Sequence, residues 1–116
     1  MKWTIPILII LLVGCTAAPA ATSTGKTKEF EMVAHNFAFE PALITVDAGD
    51  HVILHITGAD TVHGISIPGL GVKATLPVDE VTDVAFDATK KGMFEFRCNV
   101  FCGSGHESMT GAIEVK

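Results

Sequence analysis

No apolar run in this 116-residue sequence reaches the ~20 residues that a membrane-spanning helix needs; Ile5 to Val13, within MKWTIPILIILLVG, stops well short. Charged residues are scarce at 18%, but hydrophobic residues make up 48%, which excludes a disordered chain. No long helical period is present, which argues against a bundle and against a fold that alternates helices with strands. There is no internal repeat. Tyrosine is absent, and the single tryptophan, Trp3, lies in the leader. Basic residues are outnumbered eight to 13, a balance that disfavours nucleic acid as a partner.

What is present begins with that leader. One lysine followed by an apolar stretch is the order of a secretory signal. Leu12-Val13-Gly14-Cys15 resembles the lipobox of bacterial lipoproteins, in which the cysteine is lipidated and becomes the mature N-terminus. The expected organisation is a signal segment over 1–14, a small, polar, Pro-containing linker over 15–28 and one folded domain over 29–116. Such a chain is exported and held by lipid at Cys15 on the extracytoplasmic face of a bacterial membrane. Loss of Lys2 with the signal leaves seven basic residues against 13 acidic ones.

The domain reads as short strands between turn residues. In HVILHIT, from His51, the residues Val52, Leu54 and Ile56 share one face. Thr82, Val84 and Phe86 alternate in the same way, as do Phe94, Phe96 and Cys98, and Ile113 with Val115. Breakers separate the runs at Ala48-Gly49-Asp50, Gly58-Ala59-Asp60, Pro68-Gly69 and Lys91-Gly92. Short strands at intervals of roughly 8–12 residues predict an all-β sandwich or barrel. Cys98 then ends one strand and Gly111 begins the last.

The loop between them, CNVFCGSGHESM, gathers two of the three cysteines, a histidine and one of the four methionines. In an oxidising compartment the ordinary fate of Cys98 and Cys102 is a disulfide. Zinc would accept both thiolates and His106 with one more histidine, but it leaves Met109 idle. Thiolate, imidazole and thioether together favour copper, and a second cysteine offers a second bridging sulfur, which suggests two metals. Four other histidines are available. His63 follows a turn and opens an apolar strand; His51 and His55 share the polar face of theirs, and His35 fits a surface or packed polar position.

The pattern Cys98-x3-Cys102-x3-His106-x2-Met109 resembles the CuA-site motif of cytochrome c oxidase subunit II and the related copper domain of nitrous oxide reductase. ADTVHGISIPGLGVK, Ala59–Lys73, resembles the segment that supplies that family's first histidine, and FAFEPALITVDAGDHVILHIT resembles the strands before it. The likeness covers about 80 residues, Phe37 to Val115. It implies a cupredoxin-like Greek-key β-sandwich holding two copper ions. His63 and His106 would be the imidazole ligands, Cys98 and Cys102 the bridging thiolates, Met109 a weak thioether ligand and Val100 the source of a backbone carbonyl ligand. Many members carry glutamate where this chain has Val100, so the carbonyl is kept and a carboxylate contact to a neighbouring metal is lost. Asp60 is the candidate to orient His63, while Arg97 and Glu107 flank the ligands. The family's aromatic cluster, through which electrons commonly arrive, has no counterpart in the sequence.

The function implied is electron transfer rather than bond-making catalysis by the chain alone. Cytochrome c or another small redox protein would be the donor and a terminal oxidase or reductase the acceptor. A copper chaperone using the same donors is the alternative. A thiol-disulfide protein of the copper-assembly type would also use C-x3-C and a distant histidine, but would need a helix-containing fold and would leave Met109 unused.

Overall fold

The computed structural model describes Gly14 and residues 25–116. The expected signal segment, apart from Gly14, the lipidation site Cys15 and most of the linker lie outside the described residues. No helix among the described residues is long and apolar enough to cross a membrane.

Among the described residues nine strands form two sheets. They are β1 (Thr27–His35), β2 (Ala38–Glu40), β3 (Leu43–Val46), β4 (His51–Gly58), β5 (His63–Ile67), β6 (Val72–Leu76), β7 (Val81–Asp87), β8 (Gly92–Arg97) and β9 (Thr110–Val115). The first sheet has the order β2-β1-β4-β7 and the second β3-β9-β8-β5-β6. β1 pairs with β4, and β3 with β9, in parallel; the remaining strand pairs are antiparallel. The expected sandwich is present. Its first strand starts two residues upstream of Glu29, because Thr27 and Lys28 take up register against His51 and Val52.

The alternation in the sequence is the packing pattern. Val52, Leu54 and Ile56 on β4 are fully buried, while His51, Ile53, His55 and Thr57 face the other way. Met32 and Ala34 on β1, Phe96 on β8 and Ile113 and Val115 on β9 join the same core, with Phe39 edge-on to Phe96 at 5.2 Å between ring centres. Each of these side chains other than Ala34 contributes about 1.5–3 kcal/mol by leaving water. Boundaries differ slightly from expectation: β8 stops at Arg97, and β9 begins at Thr110, which pairs with it.

β5 is buried along its whole length. His63, Ile65 and Ile67 point one way by the strand period of two. Gly64 on the opposite face lies under the loop that follows β8: a Cβ there would come within 1.9 Å of Asn99 Oδ1 and 2.8 Å of Val100 Cγ2. Glycine at 64 is what lets that loop fold down onto the sheet.

At one turn of the sandwich, buried Asp50 receives the Asp47 amide at 2.8 Å and the Lys28 ammonium at 2.6 Å. The Asp47 and Asp50 carboxylates hold the Lys28 pKa above its ordinary value, and together they tie the start of β1 to the β3–β4 connection.

Candidate metal centre

Backbone hydrogen bonds shape the loop from Cys98 to Met109. The Cys98 amide donates to the Met109 carbonyl at 3.1 Å, closing the loop at its neck. Inside it the amides of His106, Ser108 and Met109 donate to the carbonyls of Gly103, Gly105 and His106, forming a turn of 3₁₀ helix over His106–Ser108. Gly103 has a φ of 140°, a conformation that a side chain disfavours. Gly105 is needed for a different reason, space: a Cβ there would sit 2.3 Å from the Phe37 ring. Phe37, from the β1–β2 turn, thus props the loop from below.

The loop brings its donor atoms to one point. Cys98 Sγ lies 3.1 Å from the Val100 carbonyl oxygen and 3.7 Å from Cys102 Sγ. That separation is far beyond the ~2.05 Å of a disulfide, and both cysteines are free. Cys102 Sγ is in turn 3.7 Å from His106 Nδ1 and 3.9 Å from Met109 Sδ. His63 reaches the same point from β5, with a ring nitrogen and both sulfurs within 4.8 Å of one another. Cys98, Met109 and His63 are buried; Cys102 and His106 are half-buried.

His63 shows what this point is suited to hold. Its Nε2 lies 3.0 Å from the Ala59 carbonyl oxygen, an acceptor, so Nε2 carries the proton and Nδ1 has a free lone pair. Nδ1 is buried and has no hydrogen-bond partner. An unsatisfied buried polar atom costs about 1–3 kcal/mol, and a metal ion beside the two sulfurs would satisfy it. Burial pushes the Cys102 thiol pKa up, and the neighbouring Cys98 sulfur adds to the rise. Two adjacent thiolates therefore need a cation to be stable here. Soft sulfur and imidazole donors with a thioether fit copper better than any hard cation.

All six residues expected from the sequence meet at this centre. The orienting role expected of Asp60 falls instead to its neighbour Ala59: the Asp60 carboxylate accepts the Asn36 amide at 3.1 Å, which secures the turn that carries Phe37. Arg97 and Glu107 line a hollow of about 400 Å³ over Cys98 and His106, and Arg97 is paired with Glu95. The other three histidines stand elsewhere, His35 beside Glu40, His51 beside Asp87 and His55 between Asp83 and Glu29. Phe37, Ala59 and Gly64 were not singled out in the sequence. A bare glycine and a backbone carbonyl carry no chemical signature, so only the three-dimensional contacts reveal them: Phe37 under Gly103 and Gly105, Gly64 under Asn99 and Val100, and the Ala59 carbonyl on His63.

The sequence profile of the cupredoxin-like domain matches residues 5–113. The chain belongs to that family. A cytochrome c oxidase subunit 2 from Thermus thermophilus is 31% identical over 100 residues, covering 85% of this chain and 74% of the relative. Of several other subunit 2 sequences the chain spans only 28–60%. Among solved structures, the periplasmic domain of cytochrome oxidase subunit II from Bradyrhizobium japonicum superposes with a TM-score of 0.69 at 21% identity, covering 76% of this chain and 83% of that one. That likeness is one of fold. A heme-copper terminal oxidase dimer solved by cryo-EM contains a chain that matches with a TM-score of 0.66 at 26% identity, over 94% of this chain and 78% of that one. This cupredoxin-like domain is therefore homologous to oxidase subunit II.

Proposed function

We propose that this cupredoxin-like domain is a binuclear copper (CuA) electron-transfer protein, tethered by lipid on Cys15 at the extracytoplasmic face of a bacterial membrane. It would pass single electrons from a donor such as cytochrome c to a terminal oxidase or reductase. The observation that carries the reading is the bare, buried Nδ1 of His63, on a ring with a nitrogen within 4.8 Å of two free sulfurs that are 3.7 Å apart, with a thioether, a second imidazole and a carbonyl beside them. Cys98, Cys102, His63, His106, Met109 and the Val100 carbonyl would hold the two copper ions, which would supply one-electron redox chemistry.

The chain's own part is to keep that site from moving. The Ala59 carbonyl fixes the tautomer and tilt of His63. The Cys98–Met109 neck and the Phe37 wedge hold the loop. Burial of Cys98, His63 and Met109 keeps water from the inner side. Extracytoplasmic placement and oxidase association are supported by what the homologous subunits are described as, and the tether by the sequence alone.

A copper-holding chaperone would use the same donors, but it must release its metal, and a fully buried histidine and methionine oppose release. The deciding experiment loads the full chain with copper, measures copper per chain and records the EPR spectrum of the oxidised form. Two coppers with hyperfine structure from one electron spread over both nuclei are expected. One copper with a single-nucleus pattern, or copper held only as Cu(I), would sink the carrier reading.

A further inference from the structure

The chain has seven phenylalanines, and six of them, Phe30, Phe37, Phe39, Phe86, Phe94 and Phe96, are buried or partly buried against the core. Phe101 is the exception. It is 79% exposed, more than any other large apolar side chain among the described residues. Single exposed apolar residues are ordinary; the position of this one is not. It sits between Val100, whose carbonyl faces Cys98, and Cys102, and its ring centre is 5.7 Å from that of His106. His106 is itself half-buried, whereas His63 is sealed inside. One aromatic ring thus joins the surface to the outer imidazole of the cluster.

The chain as a whole is acidic, with 13 Asp and Glu against eight Lys and Arg. Beside His106, Glu107 and Arg97 line the hollow, and Arg97 is paired with Glu95. Val62, 40% exposed and next to His63 in sequence, adds a second apolar group at this end of the sandwich.

We propose that Phe101 is the contact through which an electron passes from a small protein donor to the site, by way of His106. The donor chemistry that fits is a redox cofactor edge set in an apolar surface with basic groups around it, as in a basic c-type cytochrome. The proposal rests on the copper reading above. In the step, one electron leaves the donor's reduced cofactor and one is gained by the oxidised site; no bond forms or breaks and no proton moves. The net negative charge of the chain steers the approach, and the apolar ring makes the close contact.

The test uses the full chain loaded with copper, a reduced basic c-type cytochrome, and the small complex hexaammineruthenium(II) as a donor that needs no docking. For Phe101→Ala the bimolecular rate with the cytochrome is expected to fall about tenfold or more, with the dissociation constant for the same cytochrome, measured on the metal-free chain, weakened about fivefold to tenfold. Phe101→Trp should restore both. Copper content and EPR spectrum should stay as in the wild type, and the rate with the ruthenium complex should change less than about twofold.

Unchanged rate and affinity in Phe101→Ala with an intact spectrum would overturn the proposal. An altered copper content or spectrum would overturn it too, by making Phe101 a support for His106. A wild-type chain that loads two coppers yet neither binds nor oxidises the cytochrome would overturn the choice of partner. Failure to load two coppers is seen before any variant is made and would count against the copper reading instead.

Discussion

His55 and His63 belong to consecutive strands, β4 and β5, yet the protein uses their imidazoles in opposite ways. On the outer face of the first sheet, His55 Nδ1 meets Asp83 at 2.6 Å and Nε2 meets Glu29 at 3.0 Å. Both nitrogens are engaged, and with carboxylates on either side the ring is suited to carry a proton. Inside the sandwich, His63 has one nitrogen tied to a backbone carbonyl and the other left bare among sulfurs. A backbone carbonyl on one nitrogen takes up the ring's N–H and leaves the other lone pair ready to ligate. The same side chain becomes a proton holder or a metal holder according to whether its partners are anions or a carbonyl.

Substituting both positions sharpens this contrast most. His63→Ala is expected to weaken copper binding by more than about 100-fold, beyond the 10–100-fold typical of lost supporting contacts, while His55→Ala leaves binding within about twofold. Equilibrium titration against a Cu(I) chelator reads both, and equal losses would erase the distinction. Next in size is Gly64→Ala. Its Cβ would meet Asn99 and Val100, so the ligand loop must lift from β5, with an expected stability loss of about 1–3 kcal/mol by denaturant unfolding. An unchanged midpoint would show that the loop yields freely.

Met109→Leu keeps the buried volume and removes the thioether. Stability should change by less than about 1.5 kcal/mol, the copper count should hold, and the reduction potential should rise as the weak donor is lost. Loss of copper would make Met109 an essential ligand rather than a tuning one.

The smallest effect belongs to the outer face. The hydrogen bond to Asp83, then that to Glu29, raises the His55 pKa above its ordinary 6.5, with Asp83 and Glu31 adding charge attraction. His51, the other outward histidine of β4, pairs with Asp87. A pKa raised by folding gives stability that is full below pH 6.5 and fades as pH rises through the higher folded-state value. His55→Asn should therefore flatten the dependence of Tm on pH above 6.5. An unaltered slope would remove His55 as its source.

This contrast also shows what the sequence made legible. Alternation on β4, β8 and β9 was readable because a strand buried on one face must repeat every two residues, and Val52, Leu54, Ile56, Phe96 and Ile113 do so. The ligand loop was readable because soft donors are rare enough for their crowding to be informative. Asp60 does not orient His63: nearness in sequence says nothing about direction, and with a φ of 68° its carboxylate turns to Asn36. Phe37 is not legible in the sequence because its place under Gly103 and Gly105 exists only after β1 and the ligand loop have come together.

The strand order of the second sheet bears on how such a site comes into being. β5 carries His63 and β8 delivers Cys98, and the two strands are neighbours although β6 and β7 separate them in the chain. Pairing across so long a stretch is slow compared with making a hairpin. On an exported chain, His63 would reach the oxidising side first and the thiols later, with no imidazole beside them until β5 and β8 have met. The speed of that one pairing then decides how long the thiols stand open to oxidation before copper can claim them.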